Sequence, residues 1–188
     1  VNSDHSSIDG VEAHRLVGAR QCPSPNCNER PPGQAPELVV IHCISLPPGR
    51  FGSGDVDRLF TNCLDPERHP DYPELCAMQV SAHLLVDRRG ECTQFVPFDL
   101  RAWHAGVSSW QGRPGCNDYS IGIELEGADD VPYEEAQYRT LARVIRALWA
   151  AYPTLGRNAL AGHSEIAPGR KTDPGPAFDW ARLRELLA

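Results

Sequence analysis

The chain has no Cys-x-x-Cys pair and no His-Glu-x-x-His run, so neither a cysteine zinc ribbon nor a short zincin helix is encoded. No apolar stretch approaches the ~20 residues that span a bilayer, which excludes an integral helical membrane protein. Excess positive charge is also missing: 18 Lys plus Arg face 25 Asp plus Glu, a net charge of −7, so binding to nucleic acid through a basic face is excluded. Before Pro23 there is no charged start followed by an apolar core of about 7–15 residues, and the polar opening VNSDHSSIDG does not read as a secretory signal. The seven cysteines, Cys22, Cys27, Cys43, Cys63, Cys76, Cys92 and Cys116, are odd in number and scattered, a poor disulfide framework. Free thiols in a reducing, cytoplasmic compartment are the expectation.

What remains is enough for one compact domain. A chain of 188 residues buries roughly 70% of its unfolded surface on folding and needs no disulfide staples. With 41% hydrophobic and 23% charged residues it is too apolar for wholesale disorder. A single domain over 1–188 is expected, with a polar arm over 1–20 and irregular chain wrapping the domain as far as residue 36. A monomer is expected, with no membrane or nucleic-acid partner.

The first dense apolar run, Leu38-Val39-Val40-Ile41, is short and β-branched, the pattern of a strand buried on both faces, and it ends in His42. A loop over 45–54 leads to Asp55, placed to cap a short helix running to about Leu64. From Gln79 to Asp87 residues alternate, with Val80, Ala82, Leu84 and Val86 on one face and Ser81, His83 and Leu85 on the other. Arg89-Gly90 reads as a turn and Glu91 to Val96 as a hairpin partner. Ser120 to Leu125 alternates again, setting Glu124 opposite Ile121, Ile123 and Leu125. Tyr138, Leu141, Ile145, Leu148 and Tyr152 recur at helical spacing, predicting a helix over 133–151 that Pro153 ends. A short segment at 159–161 leads to His163, a Pro/Gly-rich loop runs to Pro176, and 178–187 closes as a helix. The fold class is α/β, one domain around a mixed sheet.

Seven histidines are present. His5 and His14 lie in the polar arm and His69 in a Pro-rich loop, where solvated roles suffice. His42, His83, His104 and His163 sit in or beside strands and tight loops. A histidine ending a buried strand is costly unless hydrogen-bonded or metal-bound, and a hydrogen-bonded core residue is the simpler reading of any one of them. Asp173 stands in the rigid loop Lys171-Thr172-Asp173-Pro174-Gly175. Two His and one Asp with water make a sound catalytic zinc sphere, although spacing alone does not assemble one. Glu124, and Glu126 on the same face, read either as solvated charge or as a general base beside a metal.

A colinear set of motifs carries a resemblance that spacing does not. It comprises Val39-Val40-Ile41-His42, Ser45-Leu46-Pro47-Pro48-Gly49, Val80-Ser81-Ala82-His83 and Arg101-Ala102-Trp103-His104-Ala105-Gly106. It continues through Cys116-Asn117-Asp118, Ile121 to Gly127, Ala161-Gly162-His163 and Arg170 to Gly175. In this order they resemble the zinc-dependent N-acetylmuramoyl-L-alanine amidases, a family shared with phage lysozyme-type amidases and peptidoglycan recognition proteins. The likeness runs from about Cys22 to Leu186 and is strongest to the cytoplasmic branch acting on 1,6-anhydro-muramyl peptides.

The resemblance implies a central mixed sheet flanked by helices, with a zinc ion (Zn2+) in a groove above it. It implies His42, His163 and Asp173 as the metal ligands, Glu124 as the catalytic carboxylate and Lys171 as an oxyanion-stabilising residue near the metal. His83, Trp103 and His104 match groove-lining, substrate-binding positions. Cys43 stands where relatives usually carry Asn in contact with substrate. Gln79 and Gly115 replace arginines that grip the stem peptide in some relatives, and Arg113 is a local substitute. The implied reaction is hydrolysis of the amide between the lactyl group of muramic acid and L-Ala, on a muropeptide, during cell-wall recycling. In bacteria with an inducible β-lactamase such an amidase keeps signalling muropeptides low. Two alternatives stay open at this level: a non-catalytic peptidoglycan-binding module, which typically lacks a zinc ligand, and an amidase acting on polymeric murein.

Overall fold

The computed structural model describes residues 8–188, and His5 lies outside them. The main sheet has six strands: β1 (Arg20–Gln21), β2 (Leu38–Ile44), β3 (Leu84–Val86), β4 (Cys92–Gln94), β5 (Ser120–Glu126) and β6 (Leu160–Gly162). Their spatial order is β6-β2-β5-β3-β4-β1. The four strands β6, β2, β5 and β3 run parallel, β3 and β4 form the antiparallel hairpin that the Arg89-Gly90 turn predicted, and β1 joins the far edge parallel to β4. The fold is thus mixed α/β. Every residue of β5 and the first five of β2 are buried, as a central parallel strand covered on both faces requires.

The helices are α1 (Asp55–Phe60), α2 (Tyr72–Cys76), α3 (Glu135–Ala151), α4 (His163–Ile166) and α5 (Trp180–Leu187). The predicted stripe of α3 is its buried face: Tyr138, Leu141, Ile145 and Leu148 pack on Val39, Ile41, Ile121, Ile123 and Leu84. Burial of such side chains contributes roughly 1.5–3 kcal/mol each. Gln137 Oε1 accepts from the Glu134 amide at 3.0 Å, which sets the helix start two residues inside the predicted one. The opposite sheet face is covered by α1, α2 and loops, and there the polar residues collect.

Several expectations change. The N-terminal segment is not an irregular polar wrap. Val11–Glu12 pairs with Arg15–Leu16, β1 joins the main sheet, and Cys27–Glu29 pairs with Leu100–Ala102. Leu16 enters the core, and His14, exposed as expected, bonds the Tyr152 hydroxyl at 2.8 Å. Asp55 is the first residue of α1 rather than its cap. Its buried carboxylate instead takes hydrogen bonds from Arg58 at 2.6 Å and the Tyr72 hydroxyl at 2.8 Å. The 79–87 alternation shrinks to the three residues of β3, and residues 81–86 are buried on both faces.

Candidate metal centre and catalytic groove

Sheet register assembles the site. In the parallel pair of β2 and β5, Glu124 stands directly beside His42, and β6 runs along β2 with Gly162 opposite Ile41. His163, the next residue, therefore begins α4 level with His42. All three lie at the carboxyl ends of parallel strands, where open α/β sheets leave a crevice for ligands. The loop after α4 returns Asp173 to the same point.

Three ligand atoms converge there. His42 Nδ1 lies 2.9 Å from His163 Nδ1 and 3.0 Å from Asp173 Oδ2, and His163 Nδ1 lies 3.1 Å from that oxygen. Ligands about 2.0–2.1 Å from a tetrahedral ion would sit ~3.3 Å apart, so the spacing suits a metal. Proton accounting agrees. His163 Nε2 faces the Ala105 carbonyl at 3.1 Å, an acceptor only, so Nε2 carries the proton and Nδ1 presents a lone pair. His42 Nε2 faces His104 Nδ1 at 2.9 Å, and the tautomer that donates there leaves His42 Nδ1 with a lone pair in the cluster. In that tautomer two imidazole lone pairs and a carboxylate oxygen face one another, an arrangement that a cation satisfies. Burial pushes His42 down to about 4, and its contact with Asp173 opposes this only in part. Asp173 would be raised by burial, but its contacts with His163 and His42 outweigh that and hold it well below the usual carboxylate range. Both ligands are therefore in their metal-binding, deprotonated forms at neutral pH.

Glu124 is neither solvated nor paired. It is 8% exposed, and its Oε2 is inaccessible and without a hydrogen-bond partner. Burial, reinforced by the Asp173 charge, raises its pKa well above the ordinary value, and Lys171 opposes the shift. An orphaned carboxylate oxygen beside a metal cluster calls for a partner that arrives with the reaction. Glu126, on the same strand face, is occupied differently: its carboxylate accepts from the Gly52 and Arg88 amides.

The cleft over this cluster holds about 240 Å³ and is lined by His42, Cys43, Trp103, His104, Glu124 and Lys171, with an apolar wall from Leu59, Phe60, Leu75 and Met78. Trp103 is held at the rim by its Nε1 hydrogen bond to Asn28 Oδ1 at 2.7 Å. Cys43 Sγ lies 3.4 Å from Asp129 Oδ1, and burial pushes the thiol up to about 12. It is a neutral wall of the groove and no nucleophile. A larger hollow of about 490 Å³, between Trp149, Arg157, Trp180 and Arg184, gathers no such group of ligands.

Two expected groove residues are elsewhere. His83 is fully buried behind the groove: Nδ1 accepts from the Gly122 amide at 3.0 Å, and Nε2 faces the Leu100 carbonyl at 3.1 Å and the Arg30 guanidinium at 3.2 Å. The sequence alternation put it on a face with Ser81, but both faces of that segment are covered. Arg113 is spent on Glu37 at 2.8 Å and on Gln34, with its guanidinium over the Tyr119 ring, so it does not line the groove. Gln79 is exposed just past Met78, and Gly115 is a left-handed turn residue with φ +74°. The supporting residues Asn117, Ser120 and the Ala105 carbonyl were not singled out by sequence. Asn117 and Ala105 lie within motifs that carry the family resemblance, which is the signal that could have found them.

His83 gives a stability prediction. Burial first, then the Arg30 charge, lowers its pKa to about 3, so it stays neutral in the folded chain. The unfolded chain binds a proton near pH 6.5, the folded one does not, and stability present above that value is lost as pH falls toward 3. Between pH 7 and 5 the residue costs about 2 kcal/mol. His42 acts in the same sense in metal-free protein, and the raised Glu124 acts in the opposite one. Imidazole nitrogen shifts should show neutral His83 at pH 5, and an imidazolium signal in folded protein would contradict this.

Comparison with known proteins agrees with the geometry. The model of the N-acetylmuramoyl-L-alanine amidase family matches residues 32–176. The 1,6-anhydro-N-acetylmuramyl-L-alanine amidase AmpD of Escherichia coli (strain K12) is 58% identical over 178 residues, 95% of this chain and 97% of its own. A crystal structure of a selenomethionine derivative of AmpD superimposes with a TM-score of 0.92 at 54% identity, covering 95% of this chain and 99% of that one. AmpDh3 of Pseudomonas aeruginosa, solved in complex with an anhydromuramic pentapeptide, is similar at TM-score 0.63 and 28% identity, over 85% of this chain and 62% of that one. A shared sheet, a polar crevice at its carboxyl edge and a family match spanning every residue of the metal cluster make this chain a member of the N-acetylmuramoyl-L-alanine amidase family.

Proposed function

We propose that the chain is a zinc-dependent hydrolase that cuts the amide between the lactyl carbonyl of 1,6-anhydro-N-acetylmuramic acid and the L-Ala nitrogen of the stem peptide. The observation that carries the reading is the His42–His163–Asp173 cluster with the unpartnered Glu124 oxygen beside it. Two imidazoles and one carboxylate suit zinc better than magnesium or calcium, which take oxygen ligands. Zinc held there supplies Lewis acidity, lowering the pKa of water toward ~7 and polarising a carbonyl.

The chain's own residues supply the rest. Glu124 Oε2 takes the proton from the attacking water and returns it to the departing L-Ala nitrogen, which leaves as an amine. A carboxyl whose affinity for protons is raised by burial suits both transfers, and the Lys171 charge keeps the proton-accepting form within reach. Lys171, on the loop that carries Asp173 and lining the same cleft, opposes the charge that develops on the carbonyl oxygen. Trp103 offers an aromatic face at the rim for sugar or lactyl surface. The neutral Cys43 thiol shapes the wall beside the metal.

The substrate class is supported by the AmpD name of the full-length relative and by the anhydromuramic pentapeptide bound to AmpDh3. A place in cytoplasmic recycling of cell-wall fragments is supported by seven free cysteines, two of them exposed, which an oxidising compartment would not preserve. Among the described residues no helix is long and apolar enough to cross a membrane. The test is release of free stem peptide by zinc-loaded protein from soluble anhydromuramyl peptide and from intact sacculi. Faster release from the soluble fragment is expected. Equal or faster attack on sacculi would overturn the recycling role, and binding without release would overturn the catalytic one.

A further inference from the structure

Both metal-facing histidines are oriented by one short piece of chain. His42 Nε2 bonds His104 Nδ1 at 2.9 Å, and His163 Nε2 bonds the carbonyl of the adjacent residue, Ala105, at 3.1 Å. Residues 103–108 belong to no helix or strand, so no ladder fixes this segment. Side chains fix it instead: the Trp103 amide donates to Ser81 Oγ at 3.0 Å and Arg170 donates to the Val107 carbonyl at 2.7 Å, while between them the single oxygen Asn117 Oδ1 accepts from the amides of His104 at 3.2 Å and Ala105 at 2.8 Å. Asn117 is itself 7% exposed, in a one-turn helix at Cys116–Asp118, and its carbonyl accepts from the buried Arg30 at 3.3 Å.

The imidazole of His104 is confined from two further sides. Its Nε2 meets Ser120 Oγ at 3.1 Å, and it lies flat enough on Gly122 that a Cβ there would come within 2.4 Å of its Cγ. The Ala105 carbonyl is likewise shared, since Arg170 also donates to it at 2.6 Å. The two residues that meet the metal-facing histidines, His104 and Ala105, thus share one acceptor for their amides.

We infer that Asn117 is a positioning residue for the metal centre, its side-chain oxygen locking the 104–105 segment through which both metal-facing histidines are oriented. Partners beyond the ligands themselves set the tautomer and direction of a metal-bound imidazole, and losing one typically costs 10–100-fold in metal affinity. Asn117 stands one step further out than such a partner but acts on two ligands together. The inference rests on the metal reading proposed above.

The test is zinc affinity by competition with a chromophoric chelator, on the full chain, alongside thermal unfolding of the metal-free protein. Asn117→Ala should weaken zinc binding by about tenfold or more. Asn117→Asp keeps an acceptor oxygen for both amides, with Arg30 nearby to balance its charge, and should restore affinity to near that of the wild type. Thr140→Val removes a hydrogen bond to the Gly90 carbonyl on the far side of the sheet and should lower stability without changing zinc affinity. Ser120→Ala, which frees His104 Nε2 without touching the backbone, should weaken binding more mildly and serves if Asn117→Ala does not fold. Wild-type affinity in both Asn117→Ala and Ser120→Ala would overturn the inference while leaving the metal reading intact. Equal weakening in Asn117→Ala and Asn117→Asp, or weakening in Thr140→Val that tracks its loss of stability, would overturn it as well. Failure of the wild type to bind zinc would overturn the metal reading itself.

Discussion

Glu124→Gln will lower turnover by about 10²–10⁴-fold, the range that a positioned acid–base group contributes, while zinc affinity stays within a few-fold of wild type. The substitution keeps shape and burial and removes only the ability to take and return a proton. Glu124 makes no contact with the three converging ligand atoms in the manner of a fourth ligand, so the cluster should survive. The same variant is expected to unfold at the same temperature as wild type or higher. The native carboxyl is held in a site where burial disfavours its charged form and one oxygen has no partner. Relieving that cost at the expense of activity is the usual trade at catalytic positions. Steady-state rates on an anhydromuramyl peptide, with zinc content measured on the same sample, check both halves. Wild-type turnover would remove Glu124 from the mechanism, and loss of zinc would recast it as a ligand.

Removing the metal will bring activity to background, and zinc will restore it while magnesium will not. The reason lies in the donor set. With Nε2 of His163 committed to the Ala105 carbonyl, the facing atoms of His42, His163 and Asp173 are all electron-pair donors packed 2.9–3.1 Å apart. A cation drawing these donors together adds binding free energy to the folded state, so stripping zinc should also lower thermal stability. Metal present at 100 times its dissociation constant adds about 2.7 kcal/mol to the folded state. Activity after exhaustive dialysis against EDTA, then after addition of each ion, is the check. A rate unaffected by chelation, with zinc shown to be gone, would remove metal assistance from the account.

The elements that pack hardest were the most legible. A β-branched run such as 38–41 has few alternatives to a buried strand, and the stripe from Tyr138 to Leu148 has few alternatives to a helix lying on a sheet. Register was not legible. Alternation put Glu124 on a polar face but could not say that His42 stands beside it, because that pairing joins residues 82 positions apart in the chain and depends on the whole sheet. The ligand set was suggested by family likeness, since His42 and His163 are separated by 121 residues. Polar composition misled in one place. In the N-terminal segment it concealed Arg30, which is buried because four backbone carbonyls receive its guanidinium in place of water. At His83 the family likeness implied a groove residue where the chain has built a buried, neutral hydrogen-bonded imidazole.

The position of the cut bond is the most direct test of the account. Zinc-loaded protein and an anhydromuramyl tripeptide are incubated in water enriched in oxygen-18, and the products are weighed by mass spectrometry. The account predicts that one heavy oxygen enters the lactyl carboxylate of the sugar product and that the peptide leaves unlabelled, with a free L-Ala amine. Label in the peptide, or release of any other fragment, would contradict it.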